Sequence, residues 1–249
     1  MVRYQVILAY DGTGFTGSQR QADSRTVQGE LEKALRKLGW SDRTLLMAGR
    51  TDTGVHATGQ VAAFDFPEWK HSTGKLLGAL NADLPPDLVI RSLRPSPADF
   101  HPRFDAISRE YRYRVFFDPI RDPLRDKFVW RTWPAVDEEA LYWNANIFLG
   151  KHDFAAMGSR TTPNGTTVRT VTKAEWKKMP DGEWQFEVRA DAFLYRMVRR
   201  LVFVQVAVAQ GRCPVEKVQH AMKGQGILLA GLAPAHGLTL VEVKYGSHD

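Results

Sequence analysis

The sequence has almost no cysteine, no long apolar run and no clustered metal ligands. Its only cysteine among 249 residues is Cys213, so no disulfide can form within the chain, which fits a reducing compartment. No apolar run approaches the roughly 20 residues that a membrane helix needs. The chain starts with a strand-like segment rather than a signal peptide, and its seven histidines lack the spacing of a known metal site. We therefore expect a cytoplasmic protein with no membrane association and no metal.

Negative charge is also in the minority. Lys and Arg number 34 and Asp and Glu number 28, which gives a net charge of +6 and a sequence pI of about 9.5. This excess favours an anionic partner, nucleic acid being the obvious one, although many basic proteins bind none. The chain is 43% hydrophobic and 25% charged, so it can bury a sizeable core as one large domain or two modest ones.

The most informative stretch runs from Gly49 to Gln60 and reads Gly-Arg-Thr-Asp-Thr-Gly-Val-His-Ala-Thr-Gly-Gln. Its glycines allow a tight, open turn, so we expect Asp52 on a loop between two strands, with Arg50 close to it. A carboxylate beside a guanidinium would stay ionised and could act as a nucleophile or a base. An Asp in such a turn is more commonly a turn-former bonded to local backbone, so this residue alone does not decide the function.

The whole string, however, resembles the catalytic loop of the tRNA pseudouridine synthase A family. The matching positions are Gly49-Arg-Thr-Asp52, Gly54-Val-His-Ala57 and Gly59-Gln60. The family usually has Ala where this chain has Thr53. The resemblance implies that Asp52 is the catalytic residue.

A second glycine pattern, Gly12-Thr-Gly14-Phe-Thr-Gly17, matches the G-x-G-x-x-G of dinucleotide-binding folds. That motif requires its third glycine to open a helix, but the helical pattern here starts only near Thr26. We therefore interpret these glycines as part of a long loop and expect no cofactor. The loop resembles a family segment with Tyr-Asp-Gly followed by Gly-x-Gln-x-Gln, in which Ser18 replaces a common Trp.

Hydrophobic periodicity predicts the order β-α-β-β-α-β in the first half, which is the ferredoxin-like arrangement. The elements predicted there are strands at 3–10, 43–48, 60–66 and 88–93 and helices at 26–38 and 72–80. The second half starts a similar cycle, with strands predicted at 107–117, 128–133, 171–178, 183–191 and 238–245 and helices at 136–149, 194–210 and 215–223.

The predicted fold class is therefore α+β. Two ferredoxin-like halves would join into one extended, mostly antiparallel sheet with helices on one face and a central cleft, an architecture that the family resemblance also implies. The expected domains are 1–105, which carries the Asp52 loop, and 106–249, which carries a base-stacking tyrosine and RNA-binding elements.

Tyrosine and arginine alternate in the segment Ser108-Arg-Glu-Tyr-Arg-Tyr-Arg114. Period-two alternation predicts a strand with Tyr111 and Tyr113 on the same face. These rings could be core residues or an aromatic platform for a base with basic neighbours, and physical reasoning cannot choose between the two tyrosines. The resemblance to the family's Arg-Tyr-Arg-Tyr motif implies that Tyr111 stacks on the target base, and we interpret Tyr113 as core.

Other site residues follow from the resemblance alone. The segment Phe100-His-Pro-Arg-Phe104 resembles an RNA-contacting family motif, which implies that His101 and Arg103 bind tRNA. Arg160 lies in the polar loop 158–165, whose place in the chain resembles a family loop that reaches the anticodon arm. Arg199 matches the arginine of a family stretch that pairs with the catalytic carboxylate.

The resemblance implies a homodimeric tRNA pseudouridine synthase acting on uridines 38 to 40 of the anticodon stem-loop. The target base would leave its stack, and Asp52 would attack C1′ or C6 or take the C2′ proton. Arg199 and Arg50 would keep Asp52 charged. One rival hypothesis is an RNA-binding module without catalysis, in which Asp52 is a turn residue. A weaker one is a nucleotide-cofactor enzyme that uses Gly12 to Gly17.

Overall fold

A computed structural model describes residues 1–42 and 44–246. The chain forms two compact units. The N-terminal unit comprises Met1–Ile107 together with Thr239–Asp249, and the C-terminal unit comprises Ser108–Leu238. Residues 239–246 therefore pack with the N-terminal part of the chain.

The elements of the first unit follow the predicted β-α-β-β-α-β order. They are β1 (Val2–Tyr10), α1 (Val27–Lys37), β2 (Leu46–Met47), β3 (His56–Phe66), α2 (Thr73–Asp83) and β4 (Leu88–Pro95). The second unit contains β5 (Ala106–Phe117), β6 (Trp130–Thr132), α3 (Glu138–Ala145), β7 (Gly150–Asp153), β8 (Val168–Lys178), β9 (Trp184–Ala190), α4 (Met197–Ala209) and α5 (Val215–Met222). The last strand is β10 (Leu238–Tyr245).

Strand pairing is mostly antiparallel in both units. In the N-terminal unit β1 lies between β3 and β4, β2 pairs with β3, and β10 joins β3 in parallel at Thr239 and His56. In the C-terminal unit β9 lies between β5 and β8. Strand β7 pairs with β8 in antiparallel orientation, and β6 pairs with β5 in parallel. The predicted α+β class is confirmed.

The first core lies on one side of β1. Tyr4, Val6, Leu8 and Tyr10 alternate along the strand and are all buried. Helices α1 and α2 contact each other, and their apolar residues are buried as well, as expected for amphipathic helices that cover a sheet; these are Val27, Leu31, Leu35, Leu76 and Leu80. A polar residue that faces into this layer therefore needs a specific hydrogen-bonding partner.

In the C-terminal unit, one face of β5 carries charged side chains that form ion pairs instead of packing in a core. The Glu187 carboxylate accepts hydrogen bonds from Arg112 (2.8 Å) and from Lys173 (2.7 Å). Lys173 also donates to Glu110 (3.0 Å), and Glu110 pairs with Arg189. Both carboxylates are under 10% exposed, so the cations compensate the loss of hydration.

Some predicted boundaries were wrong. The helix predicted from residue 194 begins at Met197, because Arg196 has a left-handed φ of 63°. The helix predicted at 136–149 ends at Ala145 and continues as a 3-10 turn. The strand β7 was missed, and only Leu46–Met47 of the strand predicted at 43–48 is formed; Arg43 lies outside the described residues. Within the described ranges, no helix combines the length and apolar character needed to cross a membrane.

Candidate active site

Asp52 lies on the loop between β2 and β3 and is half-exposed. The turn is closed by the Val55 amide, which donates to the Asp52 carbonyl at 3.1 Å. Gly54 has a φ of +79°, a conformation that glycine adopts without strain. The predicted tight turn after Asp52 is therefore present.

The residue before Asp52 is held through all of its polar groups. The Thr51 amide donates to Ser18 Oγ at 2.8 Å, and the Thr51 carbonyl accepts from the Ser18 amide at 3.1 Å. The Thr51 hydroxyl lies 2.9 Å from the Tyr10 hydroxyl. All three residues are buried, so neighbouring side chains rather than water define the path of the chain into Asp52.

Both flanks of the loop are held in the same way. The buried Gln60 side chain donates to the Gly49 carbonyl at 2.9 Å. The Gly12 amide donates to His56 Nδ1 at 3.0 Å, which gives His56 a structural role between the two loops. A Cβ at Gly12 would lie 2.0 Å from the Val55 carbonyl oxygen, so only glycine allows this approach.

The glycine-rich segment after β1 is a loop that packs on the Asp52 loop. Gly12–Gly14 form a 3-10 turn, and the first α-helix starts only at Val27. Gly17 has a φ of +81°, and a Cβ there would meet the Thr51 carbonyl at 2.9 Å. The helix that a dinucleotide motif requires directly after its glycines is absent from this described segment.

The structure does not bring Arg50 onto Asp52. Arg50 is exposed, and among residues 1–42 and 44–246 it has no hydrogen bond or ion pair. Closeness in sequence does not ensure side-chain contact, because Arg50 and Asp52 lie on a loop that has no regular strand geometry.

The two tyrosines of β5 have different environments. Tyr113 is fully buried and its hydroxyl donates to the Pro234 carbonyl at 2.7 Å; burial raises its pKa well above the usual value. Tyr111 is half-exposed, and its ring meets Phe193 edge-on at 5.1 Å and 87°. The assignment of Tyr113 to the core is confirmed, and Tyr111 is the more accessible ring.

Arg199 lies in the first turn of α4 and is half-exposed. Its Nε donates to the Ala233 carbonyl at 2.8 Å, and its own carbonyl accepts from the Ala233 amide at 3.3 Å. The neighbouring Arg200 donates to the Gly231 carbonyl at 2.7 Å, and burial lowers the pKa of Arg200. The pairing of Arg199 with Asp52 joins residues of the two units and stays a prediction.

His101 and Arg103 come together in one turn that follows β4. His101 Nδ1 accepts the amides of Arg103 (3.1 Å) and Phe104 (3.3 Å), and the Asp105 carboxylate accepts the His101 amide at 2.7 Å. The Phe104 ring lies 4.2 Å from the His101 ring and is 75% exposed. The turn therefore presents an aromatic ring and an exposed arginine outward.

Arg160 is exposed in the polar loop that precedes β8. The pKa of Asp153 is lowered first by a hydrogen bond from the Thr167 side chain, and the charge of Arg160 adds a smaller contribution. No group of three His, Cys, Asp or Glu side chains suited to a metal occurs in the part of the chain that is described.

Comparisons with known proteins place this geometry in a family. The family model for tRNA pseudouridine synthase matches residues 6–105 and 145–246. A tRNA pseudouridine synthase A from Chloroflexus aurantiacus is 42% identical over 96% of this chain and 87% of its own length. One from Limosilactobacillus fermentum is 40% identical over 99% and 97%.

The chain belongs to the tRNA pseudouridine synthase family. Pseudouridine synthases are isomerases, so the chain belongs to a family of enzymes. A solved structure described as a Cbf5-Nop10-Gar1 complex aligns with 82% of this chain and 44% of that chain, at 11% identity and a TM-score of 0.38. That likeness is too weak to support an argument.

The buried polar residues around Thr51 were missed by sequence reasoning. Tyr10 and Gln60 stand at positions where the alternation of their strands calls for buried residues, and each carries a polar group there. A polar group at a buried position implies a specific partner, so the signal was present. The identity of the partner depended on the tertiary structure.

Proposed function

We propose that this protein isomerises uridine to pseudouridine at positions 38 to 40 of the tRNA anticodon stem-loop. The reaction breaks the N1–C1′ bond, rotates the base and forms a C1′–C5 bond; the hydrogen at C5 leaves as a proton and N1 takes up a proton. There is no net oxidation or hydrolysis, so no cofactor is needed. The observation that carries the proposal is Asp52, half-exposed on a loop that buried side chains hold in place.

Asp52 would be the catalytic residue. Attack on C1′ or on C6, or removal of the C2′ proton, each requires an ionised carboxylate. Arg199 would pair with Asp52 and favour its charged form. Its position supports an anionic partner, because a cation in the first turn of a helix is opposed by the helix dipole unless a negative group offsets it.

Base flipping would bring the target uridine to Asp52, since the glycosidic bond of a stacked base is not accessible. Tyr111 would hold the extruded ring by stacking. Its support is a half-exposed face and an edge-on contact with Phe193 that fixes the ring orientation. Tyr113 cannot serve, because it is fully buried.

The tRNA backbone would be held by exposed basic side chains. Arg50, Arg103 and Arg160 are exposed and could each reach a phosphate, and Phe104 beside Arg103 could stack on an unpaired base. His101 would act by shaping this turn. We also propose, from the family resemblance, that the enzyme is a cytoplasmic homodimer.

Tritium release from tRNA labelled with [5-³H]uridine tests this proposal. Wild type should release tritium, whereas Asp52→Asn should bind tRNA within about threefold of wild type and release none, because only the reacting group has changed. The exposed Glu216→Gln is the matched control and should behave as wild type. Release by Asp52→Asn would exclude Asp52 as the catalytic group. Binding without release by wild type would favour the RNA-binding module.

A further inference from the structure

We propose that the buried hydroxyl groups of Tyr10, Thr51 and Ser18 position Asp52, and that these three residues determine the rate of the chemical step without touching the substrate. This inference rests on the proposed function, because it assigns a task to side chains that lie behind the catalytic group.

Every polar group of Thr51 has a hydrogen-bonding partner. Its amide and carbonyl both bond to Ser18, at 2.8 and 3.1 Å, and its hydroxyl lies 2.9 Å from that of Tyr10. The Thr51 carbonyl belongs to the same planar peptide group as the Asp52 amide. A hydrogen bond that holds this carbonyl therefore also fixes the orientation of the peptide plane that leads into Asp52.

The Tyr10 hydroxyl is not needed to fill space in the core. The ring packs edge-on against Phe15 at 6.3 Å and 70°, and phenylalanine would fill the same space. A buried hydroxyl loses hydration and needs a partner. Its partners here are the side chains of Thr51, the residue before Asp52, and of Gln60, which also bonds to the Gly49 carbonyl of the same loop. Burial raises the pKa of Tyr10 to about 12, so the hydroxyl stays protonated and neutral at physiological pH.

Ser18 belongs to the long loop between β1 and α1 rather than to a strand. It is fully buried, and its carbonyl accepts the Gln28 amide of α1 at 2.9 Å. Ser18 therefore connects α1 to the Asp52 loop. Helix α1 is packed in the core and is therefore rigid. The hydrogen bonds of Ser18 hold the Asp52 loop in a fixed position relative to this helix.

Small displacements at a reacting carboxylate have large effects. A misplacement of about 1 Å can lower a rate by about a hundredfold. Removing one hydroxyl from this group should therefore lower kcat while leaving tRNA binding, which depends on distant phosphate contacts, nearly unchanged.

The decisive pair of variants is Thr51→Val and Thr51→Ser. Valine keeps the shape and removes the hydroxyl, whereas serine keeps the hydroxyl and removes a methyl group. Under single-turnover conditions with tritium-labelled tRNA, Thr51→Val should react at least about tenfold more slowly than wild type with KM within about twofold, a purely chemical-step defect. Thr51→Ser should recover most of the lost rate.

Tyr10→Phe should show the same split between kcat and KM. The double variant Tyr10→Phe with Thr51→Val should be no slower than the slower single variant, because both remove the same hydrogen bond. The control is Tyr4→Phe, which removes a tyrosine hydroxyl from the same buried face of β1 and should leave kcat unchanged.

Several outcomes would overturn the inference while leaving the proposed function intact. These are an active wild type with an equally active Thr51→Val, a Thr51→Ser as slow as Thr51→Val, or fully additive defects in the double variant. If Thr51→Val does not fold, the comparison of kcat between Tyr10→Phe and Tyr4→Phe tests the inference, since both variants keep the aromatic ring. A wild type that forms no pseudouridine would refute the proposed function itself.

Discussion

Tyr111 and Tyr113 are two residues apart on β5, and their surroundings differ in a way that separates function from stability. The Tyr113 ring meets Gly237, where any Cβ would lie 2.7 Å from the ring, and its hydroxyl bonds to Pro234. The half-exposed Tyr111 ring meets the edge of Phe193. Strand alternation predicted that both would share one face, but it could not distinguish them, because residues 234–237 come from a distant part of the sequence.

We predict that Tyr113→Phe mainly affects stability. The Pro234 carbonyl would lose its buried donor, which lowers the free energy of unfolding by about 1–3 kcal/mol. Urea unfolding followed by tryptophan fluorescence measures this value. An unchanged midpoint would show that the hydrogen bond contributes nothing to folding.

We predict the opposite pattern for Tyr111→Ala. The proposed stacking ring would be lost, so the single-turnover rate should fall by at least about tenfold, since base stacking on an aromatic ring contributes about 1–3 kcal/mol. Tyr113→Phe, measured at a temperature where it is folded, serves as the control. A Tyr111→Ala enzyme that reacts at the wild-type rate would remove Tyr111 from the site.

At the scale of elements, the start of α4 shows what periodicity cannot predict. Leu194 fits the helical stripe, but Tyr195 pairs with Ser159 through both backbone groups, at 2.9 and 3.2 Å, and Arg196 is left-handed. The helix therefore starts at Met197. This places Arg199 in the first turn rather than in the helix interior, a difference that depends on a bridge to a distant loop.

The ion pairs between β5, β8 and β9 give the C-terminal unit a specific pH dependence. Glu187 loses hydration on burial, which raises its pKa, but hydrogen bonds from Lys173, Lys177 and Arg112 outweigh that effect and lower the pKa from its usual 4.5 to about 2. A group with a lowered pKa contributes stability above its unfolded-state pKa and loses it as the pH falls towards the folded-state value. The sensitive range is therefore between about pH 4.5 and pH 2.

We predict that Glu187→Gln reduces stability at pH 7 and weakens the loss of stability on acidification. The glutamine cannot bind the extra proton, and it leaves Lys173 without a charged acceptor in Glu187. Urea unfolding at pH 7 and at pH 3 provides the comparison, with the exposed Glu216→Gln as the control. An identical pH dependence in wild type and Glu187→Gln would show that this carboxylate is not perturbed in the folded state.

At the scale of the whole molecule, a net charge of +6 predicts tRNA binding that weakens as salt rises. Each phosphate contact contributes a slope of about −0.7 to −0.9 in a plot of log affinity against log salt. We predict that Arg103→Gln and Arg160→Gln each make this slope shallower by the contribution of about one phosphate contact. Both variants should keep kcat near the wild-type value. Fluorescence anisotropy between 50 and 200 mM salt measures it. Unchanged slopes would show that neither arginine meets a phosphate.

Much of this fold could be predicted from local patterns, and the site only in part. The stripe at Val27, Leu31 and Leu35 and the cap at Thr26 define α1, since they depend on neighbours in sequence. The packing of β10 beside β3 and the contact between Ser18 and Thr51 depend on distant residues, which no local pattern contains. Asp52 was found through its motif, whereas Tyr10 and Ser18 required the structure.

The most direct test of the central claim is to map pseudouridine in a tRNA transcript that carries uridine at positions 38 to 40 and elsewhere. Carbodiimide treatment followed by primer extension locates each modified base. We predict stops one nucleotide 3′ of positions 38 to 40 with wild type and none with Asp52→Asn. Pseudouridine only at other positions, or stops that persist with Asp52→Asn, would contradict it.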